Sequence, residues 1–169
     1  MYNNLPSQTK KEIKWLAYYQ IAGGIIGLLT VLVFLFNLSE SNWLLAFIFI
    51  PAVLLYLFSI GCGRRLLGEN VESGLRISMI NQLIQVFGLS AIGYAFAFAS
   101  GVSMWVELDL TDDFNFSVEM GLSKFDFKVA SEEQVISVSI NIVALVLIHY
   151  IGKLKQELAY RSRLKFGEF

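Results

Sequence analysis

Residues 15–36 read WLAYYQIAGGIIGLLTVLVFLF, a stretch of 22 residues without a charged side chain. An α-helix rises about 1.5 Å per residue, so about 20 apolar residues are needed to cross a hydrocarbon core of about 30 Å. The stretch is therefore long enough to span a membrane as one helix. Three further uncharged stretches follow, at 43–62, 83–105 and 135–151.

The overall composition agrees with a membrane environment. Of the 169 residues, 56% are hydrophobic and 16% are charged, whereas soluble domains usually carry about 25% charged residues. A soluble domain of this size cannot bury four spans, and the low charge excludes a disordered chain and a nucleic-acid-binding domain. The predicted fold is a single integral membrane domain over 1–169, an all-α four-helix transmembrane bundle.

Basic residues are concentrated on one side of the predicted spans. Three precede the first span, three lie in the loop 63–82, five lie in the tail 152–169, and two, Lys124 and Lys128, lie elsewhere. The positive-inside rule therefore predicts a multi-pass protein of the plasma (bacterial inner) membrane, with both termini cytoplasmic and the acidic loop extracytoplasmic. The first span is interpreted as a signal anchor.

The extracytoplasmic segment 106–130 has the pattern of a small sheet. Apolar and polar residues alternate in three runs, as is typical of strands with one buried face. The runs are Val106–Leu110, Phe114–Met120 and Phe125–Val129. Asp112-Asp113 and Gly121-Leu122-Ser123 supply turn residues, so a three-stranded antiparallel meander is predicted between the third and fourth helices.

A sheet this small cannot bury its apolar face alone. We expect that face to meet its own helices, lipid, or a partner or second copy of the chain. The residues predicted for this contact are Phe114, Phe116, Phe125 and Phe127. The acidic cluster starting at Asp109 does not fit a calcium loop, which would have Gly at 114 and Glu at 120; no metal and no cofactor are predicted.

Small residues in two of the predicted spans indicate close packing. Gly23 and Gly27 form a Gly-x-x-x-Gly motif in the first span, and such spacing lets two helix backbones approach closely. Gly93, Ala97 and Gly101 form a similar ridge in the third span. These ridges serve contacts within the bundle or between copies of the chain.

Polar residues within the spans leave two alternative functions open. The absence of charged side chains there argues against a proton-coupled carrier, a voltage sensor or an ion pump. An oligomeric channel would have Gln85, Ser90 and Asn141 along its lumen. A membrane enzyme would use Cys62 and His149 as a thiol-imidazole pair, although the sequence shows no third group for them.

The cytoplasmic side is basic and is predicted to contact anionic lipid or a cytosolic protein. The residues expected there are Arg64, Arg65, Arg76, Lys153 and Lys155. The preferred hypothesis is a non-enzymatic, self-associating membrane subunit or sensor that couples the extracytoplasmic sheet to a cytosolic partner. Its expected partners are the lipid bilayer, a second copy of the chain and that cytosolic protein, but not nucleic acid.

Overall fold

The computed structural model describes residues 6–37, 43–111, 114–129 and 135–166. The described part contains four helices and six strands. In chain order they are α1 (Ser7–Phe36), α2 (Trp43–Leu66), α3 (Val71–Ile84), β1 (Phe87–Ala91), β2 (Tyr94–Phe98), β3 (Val102–Asp109), β4 (Asn115–Leu122), β5 (Phe125–Lys128), β6 (Ser137–Asn141) and α4 (Ile142–Phe166).

The third predicted span, 83–105, is wrong. This stretch contains the end of α3, the hairpin of β1 and β2, and the start of β3. Its large apolar residues alternate with Gly, Ser and Ala, which is the period of a strand, and hydropathy averaged over a window hides that alternation. Ile92 and Gly93 have φ values of 51° and 77°, as in the tight two-residue turns that connect antiparallel strands.

The fourth predicted span, 135–151, is also wrong, because β6 occupies its first part and α4 begins at Ile142. Asn141 marks the change, since its Oδ1 accepts hydrogen bonds from the backbone N–H of Val143 (3.1 Å) and Ala144 (3.4 Å). Among the described residues, two helical segments are long and apolar enough to cross a membrane, Ser7–Phe36 and Phe49–Leu66. A four-helix transmembrane bundle is therefore not the fold.

The predicted three-stranded meander is corrected to a six-stranded antiparallel half-barrel. Its strand order is β4-β3-β6-β1-β2-β5, so β4 pairs with β3 as expected but β5 pairs with β2. The three predicted strands exist, and Asp112 and Asp113 lie outside the described residues. Sequence alternation identified the strands but could not identify their partners.

A sharp corner explains how β4 and β5 follow each other in sequence and yet lie at opposite ends of the strand order. Ser123 and Lys124 alone connect them, and they run beside the link between β2 and β3. Ser123 N donates to Gly101 O (2.8 Å) and Ala99 N donates to Lys124 O (2.7 Å). β2 with β3 and β4 with β5 therefore form two neighbouring chain segments that bend together at this corner, and the bend curls the sheet.

The four helices pack together only at one end of the molecule. Buried apolar residues from α1, α2, α3 and α4 form a shared core there, including Ile13, Leu66, Leu75 and Leu154. The segment 63–82, predicted as a loop, is largely helical, because α2 continues to Leu66 and α3 begins at Val71. Beyond this core, α1 and α2 continue as a pair beside the sheet.

Candidate functional site

The curled sheet has an apolar face turned outward and a polar face turned inward. Cross-strand partners share their chemistry, with Leu89 opposite Phe96 and Met104 opposite Met120 on the outer face. Phe116 and Met120 are 62% and 72% exposed. A sheet in a soluble protein normally places its apolar face inward, so the outer face of this sheet requires a lipid or protein environment.

The inner face surrounds an open groove with a cavity volume of about 120 Å³. Its walls are formed by residues of β1, β2, β3, β5 and β6 and by the links that precede β5 and β6. Its polar lining residues are Ser90, Glu107, Lys124, Asp126, Lys128, Ser137 and Ser139. The groove therefore has the polarity of a site for a small hydrophilic ligand.

The charged side chains of the groove differ in whether they have a partner. Lys124 Nζ forms an ion pair with Glu119 and lies 6.0 Å from the centre of the Trp105 ring. Glu107 and Asp126 are half-buried, and within the described ranges neither carboxylate has an ion-pair or hydrogen-bond partner. Half-buried carboxylates without partners favour a cationic ligand, because a cation restores the interactions lost with water.

A buried aromatic side chain packs on one of the groove's lining residues, Ala97. Trp105 is 1% exposed and forms a buried cluster with Ala97 and Ala99. Gly88 gives this indole its space, since a Cβ at Gly88 would lie 3.3 Å from the Trp105 ring and 2.3 Å from Ser139 Oγ. The backbone at Gly88 therefore packs tightly between the groove residue Ser139 and the Trp105 ring.

A buried polar network lies between the helix bundle and the sheet corner. Ser100 Oγ donates to Ser59 Oγ (2.9 Å), Asn81 Nδ2 donates to the same oxygen (3.2 Å), and Ser59 Oγ donates to Gln20 O (3.2 Å). Three buried amide atoms near it lack a partner in the part of the chain that the structure describes. They are Gln20 Nε2, Asn81 Oδ1 and Gln82 Nε2.

Gln85 connects this network to the sheet. Its Oε1 accepts from Ser100 N (2.7 Å) and its Nε2 donates to Asn81 O (3.1 Å).

Gln85→Ala is expected to lower the free energy of unfolding by roughly 1–3 kcal/mol, because it leaves a buried N–H unsatisfied. Gln156→Ala, at an exposed position of α4, should change it little, and equal losses in chemical unfolding of both variants would contradict this role.

The outer end of β3 is joined to the start of β6 through Asp109 and Thr111. Asp109 Oδ1 accepts from Thr111 N (2.9 Å), and Thr111 Oγ1 accepts from Ile136 N (3.1 Å). The hydrogen bonds from the Thr111 side chain and backbone lower the pKa of Asp109. The stability that these hydrogen bonds add is present above the pKa that Asp109 has in the unfolded chain. It is lost as pH falls through the lower pKa of Asp109 in the folded protein.

The predicted packing residues occupy four different places. A Cβ at Gly27 would overlap the Tyr56 ring at 2.0 Å, and a Cβ at Gly23 would lie 2.5 Å from Gly101 N, so α1 contacts α2 at the first position and the sheet corner at the second. Gly93 lies in the turn between β1 and β2, and Ala97 lies on the inner face of the sheet.

The three residues predicted for a lumen lie in different surroundings. Gln85 is buried in the polar network and Asn141 is buried at the start of α4. Ser90 lines the groove and its Oγ donates to Val135 O (3.2 Å). Cys62 is buried, with Sγ directed to Ile77 O at 3.6 Å, whereas His149 is exposed on α4.

The residues predicted for partner contacts are only partly accessible. Phe114 and Phe116 are exposed, while Phe125 packs against the α1–α2 core and stacks on Phe127 with 6.2 Å between ring centres. Among the basic residues, Lys155 is half-buried. The exposed ones are Arg64, Arg65, Arg76 and Lys153.

Glu107 and Asp126 are groove residues that the sequence did not reveal. Both lie in predicted strands, and the alternation within each strand shows which of its residues lie on the same face. Their meeting depends on the curl of the sheet, which sequence alternation does not contain. No family model, curated protein or solved structure matches the chain.

Proposed function

We propose that the protein is a non-enzymatic membrane receptor subunit that binds a small solute with a protonated amine in the groove and transmits binding to its cytoplasmic helices. One observation carries the proposal. β1 and β6 line the groove and pair with each other. Both are joined directly to helices of the bundle. Only Gln85 and Val86 separate α3 from β1, and no residue separates β6 from α4.

The membrane placement is supported by α1, α2 and the position of the sheet beside them. Gly23, which contacts the sheet corner, lies eight residues beyond Trp15, or about 12 Å along the helix. From there β5 reaches the level of Thr30 and Phe34, and the eight residues of β3 span about 26 Å. About 18 Å of a hydrocarbon core of about 30 Å remains beyond Gly23, so the first half of β3 would lie at hydrocarbon depth and its outer end would extend past it.

Two spans in place of four give the same expected orientation, with the N-terminus on the cytoplasmic side. With α1 and α2 crossing the membrane, the N-terminal lysines and Arg64 fall on the same side. Thr9 Oγ1 donates to Glu157 Oε1 (2.9 Å), so the second half of α4 lies beside the N-terminal turns of α1. The basic residues of α4 thus belong to the same cytoplasmic end, and the groove opens on the opposite side.

The coupling rests on the junctions between strands and helices. Asn141 N donates to Val86 O (2.8 Å), which joins the end of β6 to the entry of β1. A change in the spacing of the groove walls therefore moves the start of α4 and the end of α3 together. Those helices present the exposed Arg76 and Lys153 to a cytosolic partner.

The binding step is tested with the full chain in lipid discs, using ethanolamine, putrescine and arginine as probes in calorimetry. Glu107→Gln combined with Asp126→Asn is expected to weaken binding at least about tenfold, because charge-assisted hydrogen bonds contribute roughly 1.5–3 kcal/mol each. Glu69→Gln combined with Glu72→Gln removes the same charge at exposed sites of the bundle end and should leave binding unchanged. Equal affinity in both double variants would overturn the proposal.

A channel is the second candidate function. The polar inner face behind an apolar outer face favours it, since this is the polarity of a membrane pore wall. The buried Trp105, which packs with the groove residue Ala97, opposes conduction through a single copy. Vesicles containing the protein separate the two: ion-tight vesicles that still bind amines support the receptor, and steady ion flux supports the channel.

A further inference from the structure

Among the described residues, the outer edge of β4 is unpaired. β4 is the last strand of the sheet, pairs with β3, and has all eight of its residues exposed. In the described part of the chain, no strand lies on its other side. The opposite end of the sheet, β5, borders a cleft of about 220 Å³ against Thr30, Phe34 and Phe49 of α1 and α2.

An open edge of this kind does not persist in hydrocarbon. Unpaired backbone N–H and C=O groups have no water to bind there, which is why membrane-embedded sheets close into barrels. β4 also lacks the residues that normally protect an edge, since it contains no Lys, Arg or Pro. Its one charged residue, Glu119, is neutralised by Lys124 of the same chain.

We propose that a second copy of this chain covers this edge, with β4 of one copy pairing antiparallel with β5 of the next. β4 runs toward the bundle and β5 runs away from it, so this pairing is antiparallel between copies of the same membrane orientation. Antiparallel pairing of β4 with another β4 would invert one copy, which the distribution of basic residues opposes. The result is a ring of sheets around an axis along the membrane normal.

The side chains suit this arrangement. Phe116, Val118 and Met120 of β4 would continue the outer apolar face formed by Phe125 and Phe127 of the neighbouring copy. The polar faces of all copies would then line the inside of the ring. This inference rests on the membrane placement proposed above but not on ligand binding in the groove.

Cysteine cross-linking in native membranes tests the pairing. Val118→Cys and Phe127→Cys proteins carrying different tags, co-expressed in a Cys62→Ser background, are expected to form a disulfide-linked pair on oxidation. Leu89→Cys, exposed on the same outer face but in the interior strand β1, is the matched control and should give no cross-link. A cross-link between two Val118→Cys chains, or none between β4 and β5, would overturn the proposal.

A second variant guards against misfolding as the cause of a negative result. Val118→Lys adds a charge to the edge and is expected to reduce the assembly to single copies in native mass spectrometry. Amine binding in the groove should remain within about twofold of the unmodified protein. An intact oligomer with Val118→Lys would contradict β4 pairing, whereas loss of amine binding in an intact ring would contradict only the receptor function.

Discussion

Gly23→Ala is expected to lower the free energy of unfolding by roughly 1–3 kcal/mol, the usual cost of overpacking a tight core, and Gly23→Leu is expected to prevent α1 from docking on the sheet. The added Cβ would lie 2.5 Å from Gly101 N and 2.6 Å from Ser100 C. These are backbone atoms of a corner that cannot easily shift, because Gly101 has a φ of 101° and is itself packed under the Tyr19 ring.

Gly61→Ala is the matched control for this prediction. Gly61 lies within α2, and a Cβ there would meet nothing within 4 Å. Alanine should therefore be neutral or stabilise the helix by up to about 1 kcal/mol. Thermal unfolding of both variants in the same detergent measures the difference, and a Gly23→Ala protein as stable as Gly61→Ala would show that α1 does not contact the corner closely.

Asn141→Ala is expected to cost roughly 2–4 kcal/mol, which combines the loss of a helix cap with buried donors left unsatisfied. Asn141 Oδ1 accepts from the N–H of Met104 (3.3 Å) as well as from those of Val143 and Ala144. One amide thus caps α4 and fixes β3 beside it. Denaturant unfolding followed by circular dichroism would measure the loss.

The variant Asn141→Asp separates capping from packing. A carboxylate keeps the acceptor and is favoured at a helix N-terminus, so it should recover much of the stability that alanine loses. Asn115→Ala, at an exposed position of β4, should change stability by less than about 0.5 kcal/mol. If Asn141→Asp were no more stable than Asn141→Ala, the capping role would be wrong.

The helices α1 and α2 could be predicted from the sequence because their apolar residues run continuously and no second periodicity competes. The stretch from Phe87 to Phe98 fails the same test for a physical reason. Its mean hydropathy is that of a membrane helix, but the large side chains occupy one face of a sheet and the small ones the other. The turn conceals the hairpin further, since Ile92 is an unfavourable residue for a positive φ.

The groove was beyond prediction for a different reason. Alternation placed Glu107 and Asp126 in strands, yet these strands are separated in the sheet by β6, β1 and β2. Only the bend at Ser123 and Gly101 brings the two ends of the sheet around one cavity. A strand pattern records which residues share a face, and it carries no information about how far that face curves.

The position of β6 determines when the two parts of the sheet can join. β1, β2 and β5 form one part of the sheet and β3 and β4 the other, and β6 pairs with both β1 and β3. Residues 137–141 are therefore needed to unite the two parts, although they follow the other five strands in the chain. Such distant pairing forms slowly, so the joining of the two parts by β6 is expected to be the slow step in forming the sheet.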